Sequence, residues 1–386
     1  MTPLVPDTTA RQEPFDCRIL FGRTERPLLL PKNNDDFVRE AIQLFVQSGM
    51  RRGLASLMLK IDHWLPQLRL LPTIKSMPVS LPEIYGEAGI AKEQFALYYG
   101  SPGPLRKLTV YSSSTGRSVT KIALQPLADE RIYNEGKFLE LLASHRIVAD
   151  FVPTLLDHGQ LSSGRRFVRT SVLPSGRRES RFGPMHRAFL GELYNHRSGV
   201  PAWVDGHSYQ SLKARLNAIH HSVDQPSREL LDSVLDDIAA LSGDEPVAEC
   251  IVHGDFAPWN ISVTGNRLSV FDWENALTHG SPLHDFLHFH LISETLRRPS
   301  LGLPAVKRLM TNAAQHFAFV AGRKPAPRLV AALTLNYLAE IVIFFCVTDG
   351  TLMYGHPVIK SYLHLMRTRQ IWLSNAFSDG GTPHER

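Results

Sequence analysis

The feature that most constrains the fold is a hairpin pattern in the second half of the chain. Residues Ile261 to Thr264 alternate between apolar and polar, Gly265-Asn266 is a turn pair, and Arg267 to Phe271 alternate again. Two alternating runs on either side of a two-residue turn predict a β-hairpin. Because paired strands lie about 5 Å apart, we expect the residues that flank this hairpin, Asn260 and Asp272, to meet at its open end.

Polar residues around this open end have the chemistry of a cation site. The amide oxygen of Asn260 and the carboxylate of Asp272 are hard ligands that leave room for water and phosphate, which suits Mg²⁺. Asp255 comes five residues before Asn260, in a loop with Gly254 and Pro258, and its carboxylate could accept the proton of an attacking hydroxyl. Since phosphoryl transfer requires mainly positioning and charge neutralisation, this set predicts a phosphoryl-transfer site.

The first half of the chain predicts a small antiparallel sheet followed by a helix. Three strand-like runs are found at residues 95–99, 105–112 and 119–124. A helical pattern then extends from Asp129 to about Ser144. Lys121 lies in the third run and Glu135 in the helix, fourteen residues later. A strand lysine held by a helix glutamate would supply a fixed ammonium group for phosphates.

Two segments around the hairpin resemble those of a known family. The segment His253 to Asn260 resembles the catalytic loop of the aminoglycoside phosphotransferase and choline kinase superfamily. Phe271 to Glu274, followed by Gly280 to Asp285, resembles that family's metal-binding segment and the helix after it. The resemblance covers roughly residues 93–350. It implies an α+β, two-lobed protein-kinase-like fold, with a small antiparallel β lobe, a larger and mainly helical lobe, and an extra N-terminal segment.

The resemblance implies a role for each residue of the pattern. Asp255 would be the catalytic base or hydroxyl-orienting residue, and Asn260 and Asp272 would hold Mg²⁺. Lys121 also falls where the family places its phosphate-binding lysine, and Glu135 would orient it. The implied cofactors are ATP, from which the sequence does not distinguish GTP, and Mg²⁺.

The resemblance also implies supporting positions. His253 would brace the catalytic loop and Asp285 would anchor its backbone. The segment from Ser171 to Gly176, which includes Leu173, would be the hinge whose backbone meets adenine. The loop from Gly100 to Pro104 departs from the glycine pattern of protein kinases, which leaves its phosphate contacts open.

We expect three regions along the chain. Residues 1–92 are an N-terminal extension, 93–175 a nucleotide-binding, β-rich lobe, and 176–386 a helical lobe with the catalytic and acceptor site. The extension has no counterpart in the minimal family fold. Its first 25 or so residues are expected to lack structure, and a helix is expected to begin at Asp35-Asp36. The amphipathic stretch from Asp35 to Leu65 allows a peripheral contact with a membrane or a protein, although packing on its own domain is favoured.

Composition excludes several classes of protein. The formal net charge is +5, but no basic run is interleaved with aromatic residues, so nucleic-acid binding is not expected. Three scattered cysteines form neither a disulfide framework nor a zinc pattern, which favours a cytoplasmic location.

One apolar stretch, Leu329 to Val347, has the length of a membrane span. Asn336 and Glu340 interrupt it, and a charged residue near the centre of a span costs about 2.5–3.5 kcal/mol. We therefore expect a buried core helix and no transmembrane segment.

A group of histidines allows a zinc site as a second interpretation of the C-terminal half. The group comprises His279, His284, His288 and His290. Two of them, His284 and His288, are one helical turn apart. No HExxH pattern is present, and the family places a structural helix here, so the structural interpretation is preferred.

The sequence says less about the molecule that accepts the phosphate than about the reaction. Basic residues outnumber acidic ones from His284 to the C-terminus, and a polycationic acceptor would need an acidic pocket. We therefore expect a hydroxylated small molecule that is neutral or anionic, such as a sugar or glycan precursor. The alternative is a catalytically silent nucleotide-binding scaffold or regulatory pseudokinase. A scaffold has no need of a base, so an ATP-dependent small-molecule kinase is favoured by the complete set of Lys121, Glu135, Asp255, Asn260 and Asp272.

Overall fold

The computed structural model divides the chain into two compact units. The first comprises Met1–Gly136 with Thr154–Ser175, and the second comprises Lys137–Pro153 with Gly176–Arg386. The structure describes residues 17–20, 26, 28–31, 35–45, 54–55, 57–58, 73–74, 95–113, 116–174, 176–200, 202–219, 221–298 and 301–378.

The first unit contains an eight-stranded antiparallel sheet. Its strands are β1 Cys17–Leu20, β2 Leu28–Pro31, β3 Thr73–Ile74, β4 Phe95–Tyr99, β5 Lys107–Ser112, β6 Ser118–Ala123, β7 Leu155–Gln160 and β8 Arg166–Ser171. They lie side by side in the order β3-β1-β2-β4-β5-β6-β8-β7. The expectation that the first 25 or so residues lack structure is wrong for β1, which pairs with both β2 and β3.

Strand alternation buries both faces of this sheet. Successive side chains of a strand point to opposite faces, and Leu29 accordingly joins one apolar cluster while Leu28 and Leu30 join another. In β4, Phe95 and Leu97 belong to the first of these clusters. Two covered faces explain why these strands are more apolar than a half-exposed sheet would require.

Helix α1, Asp35–Phe45, covers the second of these faces. Its residues Phe37, Ala41 and Ile42 recur at helical spacing and are at most 4% exposed. The Phe37 ring stacks on Tyr111 of β5 at a centroid distance of 5.0 Å. Full burial of a large apolar side chain contributes about 1.5–3 kcal/mol. The preference for packing of this helix on its own domain is therefore confirmed for α1.

The remaining helices belong mostly to the second unit. Helix α2, Pro126–Ala143, starts in the first unit and ends in the second. The helices that follow are α3 Arg146–Ala149, α4 Pro184–Tyr194, α5 His207–Ala218, α6 Gln225–Ser242, α7 His284–Arg297, α8 Leu303–Ala321, α9 Pro327–Asp349, α10 Pro357–Arg367 and α11 Arg369–Ser378.

The second unit also contains two small sheets. One is three-stranded, in the order β13-β10-β9, and is formed by β9 Ser198–Val200, β10 Val247–Val252 and β13 Leu277–Gly280. The other is the expected hairpin, formed by β11 Ile261–Thr264 and β12 Arg267–Val270. The region after Gly176, which was expected to be a helical lobe, therefore contains a second sheet besides the hairpin. The three-stranded sheet joins segments that are distant in sequence, and local patterns do not encode such pairing.

Helix α9 is the central helix of the second unit. It is long and apolar enough to cross a membrane, yet 83% of its most apolar 18-residue window is buried inside the protein. Asn336 and Glu340, the two residues that interrupt the apolar stretch, have buried partners: Asn336 Oδ1 accepts from Trp203 Nε1 at 3.2 Å, and Glu340 Oε2 lies 2.9 Å from His284 Nδ1. These partners satisfy groups that an apolar surrounding would otherwise penalise. The interpretation as a buried core helix is confirmed.

Candidate active site

The hairpin brings the two predicted ligand positions to one end. Ile261 pairs with Val270, and the backbone N–H of Phe271 donates to the carbonyl of Asn260 at 3.1 Å, which extends the ladder by one residue. Asp272 is the next residue. The expected convergence of Asn260 and Asp272 at the open end of the hairpin therefore follows from the observed strand register.

The loop before the hairpin is anchored from below by Asp285, near the start of α7. Its two carboxylate oxygens accept from the backbone N–H groups of His253 at 2.7 Å and Gly254 at 3.0 Å. Gly254 has φ +78°, and a Cβ added there would lie 2.2 Å from the carbonyl oxygen of Asn275. Only glycine fits this backbone path. The anchoring role expected for Asp285 is confirmed.

His253 ties the loop to the end of strand β12. Its Nδ1 accepts from the backbone N–H of Asp255 at 3.2 Å, which assigns the ring proton to Nε2, and Nε2 lies 3.1 Å from the carbonyl of Phe271. The ring is fully buried, and burial lowers the pKa of His253 because it disfavours the charged imidazolium. A neutral ring with one donor and one acceptor meets both partners, as expected for a brace.

Asp255 has both carboxylate oxygens held by described side chains. Asn260 Nδ2 donates to Oδ2 at 2.8 Å and also to the backbone carbonyl of Asp255 at 3.0 Å. His288 Nε2 lies 2.9 Å from Oδ1. The Asp255 side chain is 27% exposed. Since each carboxylate oxygen can accept two hydrogen bonds, each retains capacity for one further donor beyond those the structure describes.

Asp272 adopts a backbone conformation that is costly for a residue with a side chain. Its φ of +73° and ψ of +61° lie in the left-handed region, and no other non-glycine residue in the described part of the chain has a positive φ. Such outliers cluster at functional sites. A carboxylate oxygen of Asp272 lies within 4.8 Å of one from Glu274, which is buried. The sequence assigned no role to Glu274.

The first unit contains the predicted lysine–glutamate pair. Lys121 in β6 is opposite Thr109 of β5 and Val168 of β8. Its Nζ lies 2.7 and 2.8 Å from the two carboxylate oxygens of Glu135 in α2. The Glu135 side chain is 3% exposed and that of Lys121 18%. A buried carboxylate thus fixes the ammonium group, and the predicted pairing is observed.

The predicted hinge begins at the end of β8. The N–H of Ser171 donates to the carbonyl of Thr154 at 2.9 Å, and its Oγ accepts from the N–H of Thr154, also at 2.9 Å. The backbone N–H of Ser171 is therefore already used in a hydrogen bond within the protein. Leu173, two residues later, is partly buried.

A family model described as the phosphotransferase enzyme family (APH) matches residues 106–302. This match spans just over half of the chain and includes Lys121, Glu135, Asp255, Asn260 and Asp272. The chain belongs to this family. No curated protein matches the sequence of this chain.

Solved structures of two phosphotransferases are similar to this chain. One is a thermostable mutant of aminoglycoside phosphotransferase APH(4)-Ia in a ternary complex with AMP-PNP and hygromycin B, with a TM-score of 0.50 and 14% identity over 80% of this chain and 100% of the other. Another is macrolide 2'-phosphotransferase MphH from Brachybacterium faecium, with a TM-score of 0.41 and 19% identity over 73% of this chain and 89% of the other. The expected α+β kinase-like fold is confirmed.

Sequence reasoning missed the contact between Asp255 and His288 in this phosphotransferase. The spacing of His284 and His288 allows a zinc pattern, but among the described residues neither histidine is close to two other potential metal ligands. His288 instead bonds Asp255, and His284 pairs with Glu340. The one available signal was the helical spacing, which places both rings on one face of α7.

Proposed function

We propose that this phosphotransferase moves the γ-phosphate of ATP to a hydroxyl group of a small molecule, with Asp255 as the base or hydroxyl-orienting residue. The observation that carries this proposal is the Asp255 carboxylate, which is held at both oxygens yet remains 27% exposed. It sits in a loop whose backbone is fixed by Asp285.

Asp255 accounts for the proton of the reaction. The acceptor oxygen forms a bond to phosphorus as the bond between the γ-phosphorus and the bridging oxygen of ATP breaks, and ADP leaves. Asp255 orients the acceptor hydroxyl and receives its proton, so the charge of the new phosphate ester balances. Little further chemistry is required, because phosphoryl transfer depends mainly on position and electrostatics.

Asn260 and Asp272 fit a magnesium ion in their donor chemistry. Asn260 directs its Nδ2 toward Asp255, which leaves the amide oxygen Oδ1 as a potential ligand. Asp272 supplies a carboxylate from a strained backbone position, and amide and carboxylate oxygens suit Mg²⁺. When bound, the ion would neutralise phosphate charge during transfer.

Lys121 is proposed to contact the nucleotide phosphates. Its bidentate contact with the buried carboxylate of Glu135 fixes the ammonium group in place. Because the N–H of Ser171 is used by Thr154, we propose that adenine meets the backbone at or beyond Leu173 rather than the donor of Ser171. Cys250 and Cys346 are free thiols, in keeping with the proposed cytoplasmic location.

We propose a neutral or anionic acceptor, such as a sugar or glycan precursor. Two of the few acidic residues after His284 are already used inside the second unit: Asp285 binds the catalytic loop and Glu340 binds His284. Neither carboxylate is left to bind a polycation. Hygromycin B is bound in the solved structure with the similar fold, so aminoglycosides are the comparison compounds.

An acceptor screen tests this function. ADP release from Mg-ATP is measured with neutral sugars, sugar phosphates, hygromycin B, streptomycin and a macrolide, for the wild type and for Asp255→Ala. We expect turnover that depends on a neutral or anionic acceptor and is lost in Asp255→Ala. Turnover with the aminoglycosides alone would contradict the acceptor class. ATP binding without turnover for any acceptor would favour the silent scaffold.

A further inference from the structure

We propose that His288 is a positioning residue that holds the Asp255 carboxylate in the orientation needed to receive the acceptor hydroxyl. This role rests on the proposed function of Asp255. It adds a residue from α7 that neither the sequence nor the family match assigns. The evidence is a series of buried hydrogen bonds that ends on Asp255.

The contact between His288 and Asp255 has a direction that follows from Asp255 itself. An ionised carboxylate only accepts hydrogen bonds, so the contact of 2.9 Å to Oδ1 requires a proton on His288 Nε2. The other ring nitrogen, Nδ1, lies 3.2 Å from the Tyr337 hydroxyl. The Tyr362 hydroxyl lies 2.9 Å from that of Tyr337 and continues the series.

Both phenols remain donors over the working pH range. Burial raises the pKa of Tyr337 and of Tyr362, because the phenolate would be desolvated. The hydrogen-bonded series therefore links Tyr362, Tyr337, His288 and Asp255.

The burial of this series suits it to a fixed geometry. His288 is 5% exposed, and Tyr337 and Tyr362 are fully buried. The two tyrosines come from α9 and α10, so three helices set the position of the imidazole. A ring whose second nitrogen is held in this way has one tautomer and one orientation.

The two donors to Asp255 act on different oxygens. Asn260 holds Oδ2 and His288 holds Oδ1. With one donor lost, the carboxylate can rotate about its terminal bond, which is a soft torsion. His288 therefore fixes the rotation of the carboxylate. In that rotation the lone pairs that Asn260 and His288 do not use point away from both donors. A histidine with only a packing role would contribute to stability without this effect on turnover.

The kinetic test compares His288→Leu, His288→Gln and Tyr337→Phe with wild type, with His290→Leu as the control for loss of an imidazole from α7. The readout is phosphate release from Mg-ATP alone, with water as the acceptor, together with the KM for ATP and the melting temperature. Loss of an outer partner typically lowers activity about 10- to 100-fold. We expect that loss in kcat for His288→Leu, with a KM for ATP within about twofold of wild type. The kcat of His288→Gln should recover in part, because glutamine keeps an N–H donor. The kcat of Tyr337→Phe should lie between those of wild type and His288→Leu.

Two outcomes separate the failure of this role from the failure of the proposed function. If Asp255→Ala releases phosphate as fast as wild type, the proposed function of Asp255 is wrong. If Asp255→Ala is inactive but His288→Leu retains the wild-type kcat, the positioning role is wrong and the function stands. The same conclusion follows if His288→Gln is no more active than His288→Leu at equal melting temperature.

A second measurement does not depend on turnover. In histidine-selective ¹⁵N spectra of the full chain, the resonances lost in His288→Leu identify the ring of His288. We expect Nε2 of His288 to carry a proton in wild type, with a large shift of the Nε2 resonance in Asp255→Ala and a smaller shift of Nδ1 in Tyr337→Phe. A ring with no proton on Nε2, or one unaffected by Asp255→Ala, would overturn the proposal.

Discussion

Replacement of Asp285 by alanine removes the anchor of the catalytic loop. The carboxylate is 4% exposed and accepts hydrogen bonds from two backbone N–H groups, those of His253 and Gly254, at 2.7 and 3.0 Å. Hydrogen bonds to a charged group contribute about 1.5–3 kcal/mol each, so the loss of both corresponds to about 3–6 kcal/mol in the free energy of unfolding. That is a large fraction of the 5–15 kcal/mol or so that is typical of a folded protein.

The assay is urea-induced unfolding of wild type and Asp285→Ala, monitored by tryptophan fluorescence, with phosphate release from Mg-ATP measured in parallel. Asp285→Asn is the matched variant, because its amide oxygen can still accept from one of the two N–H groups and only one bond is lost. We expect Asp285→Asn to fall between wild type and Asp285→Ala. A loss of less than about 1 kcal/mol in Asp285→Ala would refute the reasoning, since it would mean that the two N–H groups find water or other partners without cost.

Two further predictions concern other charged pairs. Lys121→Met should lower turnover of ATP by about 100-fold or more, by analogy with the loss of one preorganised donor. Lys137→Met, at an exposed position, is the control. Equal turnover in the two variants would contradict the role of Lys121. Burial alone would lower the pKa of His284, but the hydrogen bond and the charge of Glu340 raise it above the usual 6.5. Burial alone would raise the pKa of Glu340, but the hydrogen bond and the charge of His284 lower it below the usual 4.5. The stability from this pair is therefore largest between those two values; it is lost as the pH rises through the raised pKa of His284 and as it falls through the lowered pKa of Glu340. The melting temperatures of wild type and Glu340→Gln should differ more at about pH 6 than at about pH 9, and a difference that does not change with pH would exclude the ion pair.

The parts of the site that local sequence encodes were predictable. Gly265-Asn266 between two alternating runs determines a hairpin, and the hairpin determines that Asn260 and Asp272 share one end. Lys121 and Glu135 were predictable as a pair only because the strand and the helix that carry them are adjacent in the chain. In each case the relevant contact is made within one short segment or between neighbouring elements.

The parts that depend on distant segments were not predictable. Helical spacing placed His288 on one face of α7, but its partner Tyr337 comes from α9, 49 residues later, and periodicity does not say which face meets which helix. Strand β10 pairs with β9 and β13, and both are distant in sequence: Val247 pairs with Val200, and Val252 pairs with Leu277. A short apolar run such as Val247 to Val252 is ambiguous between strand and helix without that partner.

The conformation of Asp272 links the hairpin, the loop and the proposed metal site. A non-glycine residue in a sparsely populated backbone region costs about 1–3 kcal/mol and persists only where its surroundings determine it. Here the preceding residue, Phe271, is fixed on both sides of its backbone: its N–H donates to Asn260 and its carbonyl accepts from His253 Nε2. Two such bonds contribute about 0.5–1.5 kcal/mol each, which is the same order as the strain. The loop that holds the proposed base therefore also holds the proposed metal ligand in place, so a change at His253 should disturb Asp255 and Asp272 together.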